Sequence, residues 1–219
     1  LSRRAIAAAL AAGALVPAVA VAAPPVSWTG VPSANPKTAG ASPANVLSPE
    51  LSETAVAWGS LLLDGGTAAV PYYGYDGFAA PTVLTQSLNE AHKTEPDKNT
   101  YLVLPGGQPG ADPSYDYGTH FLFQGHESGT PGYLTRVNLD ADAAHRVTLL
   151  ATTDVNGANL PDYDGSTWDP FAKRLLLTAE LGASGGVWQS DLALPAHVQD
   201  ISGVTGRAGD SRPPSAKEL

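Results

Sequence analysis

The sequence predicts an all-β chain and, within that class, a partial β-propeller: an incomplete ring of antiparallel blades behind an N-terminal signal segment. Three observations lead there. The 219 residues include 23 glycines and 19 prolines, and so many chain breakers call for short strands joined by turns rather than for long helices. After residue 57, short apolar runs follow one another, each bounded by Gly, Pro, Asp or Asn. Finally, a unit repeats: Phe121-Leu122-Phe123 precedes Leu175-Leu176-Leu177 by 54 residues, and Gly132-Tyr133 precedes Gly186-Val187 by the same interval. Each copy reads as a hairpin in which a strand ends near a glutamate and a second strand leaves after a glycine. A sheet unit with a period near 50 is the mark of a propeller. Two ordinary, unrelated hairpins are the competing reading.

The elements are justified in chain order. Residues 1–23 read as an export signal: Ser2-Arg3-Arg4, an uncharged run from Ala5 to Ala23, and the small-residue exit Ala20-Val21-Ala22 before Pro24-Pro25. The paired arginines point to twin-arginine export, and hence to a periplasmic or extracellular protein. The run is mostly alanine, with Gly13 and Pro17 inside it, so no stable membrane span is expected once it is removed. Residues 24–50 are rich in Pro, Ser, Ala and Asn and read as a linker or extended arm. Strands are predicted at Trp58–Leu63, Thr100–Leu104, His120–Phe123, Tyr133–Leu139, Arg146–Ala151, Arg174–Thr178 and Val187–Leu192. Only Pro49–Ala57 and Leu88–His92 carry a helical pattern. The propeller part is assigned to residues 51–203, and the polar stretch 204–219 reads as a disordered or foreign tail. A ring needs about four blades or more, so this stretch is expected to be a fragment. No methionine stands at residue 1 or elsewhere, which reads as a missing start.

Charge and composition exclude several functions. Acidic residues outnumber basic ones 21 to 12, for a net charge of −9, so nucleic-acid binding is not expected. The same field is compatible with a hard cation held by carboxylates. With no cysteine, disulfides, thiolate metal sites and thiol nucleophiles are excluded. Signatures of zinc hydrolases, serine hydrolases, phosphate loops and dinucleotide binding are all absent. The sequence carries no signature of oligomeric state.

Several residues remain as site candidates. His126-Glu127 sits at a strand end, where an imidazole beside a carboxylate can hold a metal or move a proton. Glu180 follows the equivalent strand of the second hairpin. Glu127 and Glu180 can therefore converge on one axis and share a cation, although solvated strand-end carboxylates are the plainer reading. Asp154-Val155-Asn156-Gly157-Ala158-Asn159 fails the spacing of a calcium loop and reads as an Asn-Gly turn. Asp162-Tyr163-Asp164-Gly165 also reads as a turn. Tyr72-Tyr73 and Asp76-Gly77 form an aromatic, acidic patch that fits either a cleft wall or core packing. Arg136, Arg146 and Lys173 are the cations available to neutralise an anionic substrate.

Three stretches resemble PhoX-like proteins: Glu95-Pro96-Asp97-Lys98-Asn99-Thr100-Tyr101-Leu102-Val103-Leu104, the run from Tyr115 to Glu127, and the run from Asp164 to Glu180. The resemblance extends from about residue 50 to residue 203. It implies a bacterial, twin-arginine-exported β-propeller of the alkaline phosphatase PhoX type, an enzyme using calcium and iron on phosphorylated substrates. The family's Asn-His-Glu stands here as Gly125-His126-Glu127, and its Thr-Cys-Glu-Glu as Thr178-Ala179-Glu180-Leu181. The resemblance thus implies Glu127 and Glu180 as metal ligands. The family's iron-binding thiolate has no counterpart in a chain without cysteine. The expected function is calcium-dependent phosphomonoester hydrolysis by the full-length protein, with this fragment inactive. The alternative is a non-catalytic periplasmic propeller that binds a ligand or a protein partner.

Overall fold

The structure, a computed structural model, describes residues 27–31, 47–75, 94–127, 132–179 and 185–205. Residues 1–23, Leu88–His92, Glu180 and the tail beyond 205 lie outside the described residues. The chain divides into two units, Leu1–Glu53 and Thr54–Leu219. In the first, residues 27–31 and 47–50 form neither helix nor strand. The Thr29 backbone N–H donates to Glu50 at 3.1 Å.

Among the described residues the second unit holds eight strands. β1 (Glu95–Val103), β2 (His120–Glu127), β3 (Leu134–Asn138) and β4 (Val147–Ala151) form one sheet in that order. β5 (Tyr163–Asp169), β6 (Arg174–Ala179), β7 (Val187–Ser190) and β8 (Val198–Asp200) form another. Every pairing is antiparallel, so each sheet is a four-stranded meander. A single helical turn, α1 (Ser202–Thr205), follows. Among the described residues no helix is long and apolar enough to cross a membrane. The repeated hairpin proves to be β2–β3 in the first sheet and β6–β7 in the second, the second and third strands each time.

Strands β2, β3 and β4 of the first sheet are buried on both faces, which explains their near-continuous apolar runs. One face presents Phe121, Phe123, Leu134 and Leu150 to Tyr163, Leu175, Leu177, Trp188 and Val198 of the second sheet. The other presents Tyr133, Val137, Val147 and Leu149 to Leu61, Leu63, Val70 and Tyr73. The predicted strand Trp58–Leu63 is therefore a covering segment. It contributes one antiparallel bridge, Leu62 to Tyr72, and is followed by a parallel bridge from Asp64 to Thr148 on the free side of β4. Pro49–Ala57 forms no helix: a turn at 49–50 leads into irregular chain, as the early proline would favour.

Gly125 sets how closely the sheets approach. A Cβ there would overlap the Cβ of Tyr163, so β2 needs a residue without a side chain at this point. Nearby, Thr100 Oγ1 and Ser166 Oγ lie 2.8 Å apart, and Ser166 Oγ donates to the Lys98 carbonyl at 3.0 Å. β5 packs against β1 and β2. Because Gly125 lies near the Glu95 end of β1 and meets Tyr163, the first residue of β5, the two leading strands run in the same direction.

Candidate functional site

Glu127 is the last residue of β2 and stands in register with Glu95. Strand alternation places it on the face of Phe121, Phe123 and Gly125, the face turned to the second sheet. It is half-buried, and its carbonyl accepts a hydrogen bond from Thr94 Oγ1 at 3.2 Å. Ala179, the last residue of β6, pairs with Tyr163. Since β1 and β5 run the same way, Glu127 and Ala179 end their strands at the same end of the stacked sheets. Glu180, the next residue, lies outside the described residues. Among the described residues no three His, Asp or Glu side chains gather as a metal-holding group.

His126 takes no part in that end. It lies on the opposite face of β2 and is fully buried. Its ring stacks on Tyr133 at 4.0 Å between centroids and meets Tyr73 edge-on at 5.2 Å. Nε2 shares a hydrogen bond with Thr135 Oγ1 at 2.7 Å, while Nδ1 has no partner among the described residues. Burial pushes the ring down to about 3, so it is neutral at ordinary pH. A neighbouring glutamate in sequence is thus on the far side of the sheet, which removes His126 as a metal ligand or proton carrier beside Glu127.

The three expected cations are likewise dispersed. Arg136 is fully buried on the face of β3 that carries Leu134 and Asn138. Its guanidinium lies 5.0 Å from the Phe121 ring centroid and 5.6 Å from that of Tyr117. Nε donates to Asn138 Oδ1 at 2.6 Å, and Nη1 has no partner among the described residues. Burial lowers it to about 10 against the opposing pull of Asp64 and Tyr117, so it stays charged. Arg146 Nη1 donates to the carbonyls of Asn138 and Leu139 at 3.1 and 2.7 Å. Lys173 sits at the β5–β6 turn, at the other end of the sheet from Ala179.

Tyr73 is core and not a cleft wall: it is buried and its hydroxyl donates to Gln124 Oε1 at 2.9 Å. Asp76-Gly77 lies outside the described residues. The Asp154 stretch is a turn: Asp154 Oδ1 accepts from the N–H groups of Asn156 and Ala158, both at 2.8 Å, and Gly157 has φ 81°. Asp162-Tyr163-Asp164-Gly165, in contrast, is no turn but the start of β5.

The chain matches no family model, no curated protein and no solved structure.

Other polar features escape a linear reading. Among the described residues histidines pair with aspartates near the surface: His120–Asp140 at 2.9 Å, His145–Asp142 at 2.9 Å, with Asp112 a further 4.0 Å contact of His145, and His197–Asp191 at 2.7 Å. The Thr119 N–H, then the His120 ring, hold Asp140 down at about 2. Only the His145 pair is close in sequence. Arg136 and Asn138 inside an apolar strand are the one local sign of the buried polar cluster, which Asp64 completes from far along the chain through Thr148 Oγ1 at 3.1 Å and the Ala111 N–H at 3.0 Å.

Proposed function

We propose that residues 94–205 are two consecutive blades of a PhoX-like β-propeller in an exported protein. Its activity on this reading is calcium-dependent hydrolysis of phosphomonoesters, with Glu127 and Glu180 as calcium ligands. One observation carries the reading. The same hairpin occupies the second and third places of two successive meanders, and its first strands end at the same end of the stack. A radial arrangement of blades would bring exactly those positions toward a common centre. The donors fit a hard cation, being carboxylate oxygens with no thiolate available. They do not fit the family's iron, whose ligand set includes a cysteine. Calcium, when bound, supplies charge neutralisation and Lewis-acid polarisation of the phosphoryl oxygens. Glu127 contributes a half-buried oxygen donor from the end of a paired strand.

The second reading is a propeller that binds without catalysis. It is favoured by the sequestration of His126 and Arg136, the imidazole and guanidinium of the first hairpin, in the core.

Calcium titration by calorimetry and p-nitrophenyl phosphate turnover of the full-length protein, with and without a chelator, test both readings. Saturable calcium binding weakened about tenfold or more by E127Q or E180Q is expected, with chelator-sensitive turnover. Binding without turnover selects the second reading. If calcium does not bind, or both variants bind it unchanged, the shared-cation centre is wrong.

A further inference from the structure

At the opposite end of the sheets from Glu127, Leu104, Trp168, Pro170 and Leu192 wall an open concavity of about 460 Å³. Lys173 is the one charged side chain in that wall. We propose that this concavity binds a small amphiphile with an apolar body and a single anionic head, in chemical class a medium-chain carboxylate. The proposal does not depend on the calcium reading.

Two features of the turn place the cation deliberately. Lys173 has φ 53°, a left-handed conformation that glycine or asparagine adopts at little cost and that a lysine adopts only under strain. A strained residue held by its surroundings points to a use for its side chain. The surroundings are visible here. Asp169 Oδ1 accepts from the N–H groups of Phe171 and Ala172 at 2.8 and 3.1 Å, and Arg174 Nη1 donates to the Lys173 carbonyl at 3.0 Å. The turn is thereby pinned on both sides of the lysine. Among the described residues the Lys173 ammonium makes no ion pair, so it is available to a ligand.

The walls select the rest of the ligand. An indole, two leucines and a proline offer apolar area and little polar recognition. A chain of net charge −9 repels small free anions, so the head alone would not stay. An apolar body supplies the binding and the ammonium fixes its orientation.

Decanoate is the probe, with 1-decanol as a body lacking the charge and acetate as a head lacking the body. Trp168 fluorescence on the full chain is the readout, assigned by its loss in W168F. Decanoate is expected to produce a saturable change, with 1-decanol and acetate at least about fivefold weaker. K173G relieves the backbone strain while removing the charge. It should keep or raise the melting temperature and weaken decanoate about fivefold. K173N, which also tolerates the left-handed conformation, should do the same. The proposal is overturned if 1-decanol binds as well as decanoate, or if both lysine variants keep the wild-type affinity.

Discussion

His126 and Asp140 are titratable groups whose folding linkage is centred in different pH ranges. His126 is held neutral by burial, down to about 3 from an ordinary 6.5. Between those values the unfolded chain binds one proton more than the folded one. Stability is therefore complete above about pH 6.5 and falls as the pH drops toward 3, by about 1.4 kcal/mol per pH unit for one proton. H126F, which keeps a ring between Tyr73 and Tyr133, should flatten that slope in urea titrations at pH 7, 6, 5 and 4. A slope equal to wild type in H126F would show that the ring titrates in the folded state. Asp140 acts lower. Its depressed value of about 2 contributes stability that is present above about pH 4 and lost as the pH falls through 2. D140N should lose that contribution above about pH 4 and flatten this acid limb. Arg136 offers a third test, because its charge is buried with one unpartnered nitrogen beside Asp64. D64A strips the nearby carboxylate and releases Thr148 and the Ala111 N–H. It should cost about 3 kcal/mol in urea denaturation. Adding R136M should recover part of that loss, since no unpaired charge then remains; a purely additive double variant would mean that Arg136 and Asp64 do not interact.

The element that decides sheet spacing is β2, through Gly125. G125A pushes a methyl group against Tyr163 and should cost about 2 kcal/mol in thermal or urea unfolding; an unchanged variant would mean that the two sheets do not meet there. Much of the element pattern is legible in the sequence, and the exceptions share a cause. β2, β3, β4, β6 and β7 announce themselves because their apolar residues fall between breakers. β5 does not, because Tyr163-Asp164-Gly165-Ser166-Thr167 carries the composition of a turn. Its strand conformation comes from pairing with Leu175–Ala179 and from packing on β1 and β2. β8 is only three residues long, below what an apolar run can signal. Trp58–Leu63 errs the other way, being apolar enough for a strand yet folded as a lid on Tyr133, Val137 and Leu149. The site divides along the same line. The placement of Glu127 at a strand end is local and can be read. The burial of His126 depends on Tyr73 arriving from a distant segment, and no spacing near residue 126 reveals it.

At the scale of the sheet-bearing unit, the two meanders share one core. Phe121, Phe123 and Leu134 pack in one cluster with Leu175, Leu177, Trp188 and Val198 of the second sheet. Neither sheet keeps its apolar face buried alone, and an uncovered face of this kind does not sustain an isolated meander in water. The second sheet is also the less protected of the two. Its other face shows Thr167, Leu176, Thr178, Gln189 and Gln199, all partly or fully exposed. The two sheets should therefore unfold together. Far-UV circular dichroism, which follows the strands, should give the same midpoint as near-UV dichroism, which follows packed aromatics such as Trp188 edge-on to Tyr163 at 5.8 Å. F123A in the first sheet and L177A in the second should each cost about 3 kcal/mol, and each should lower both midpoints equally. If L177A splits the transition, with the strands of the first sheet surviving the loss of aromatic packing, the core is not shared. The two sheets would then be independent units, and the proposed convergence of Glu127 and Glu180 would lose its structural basis.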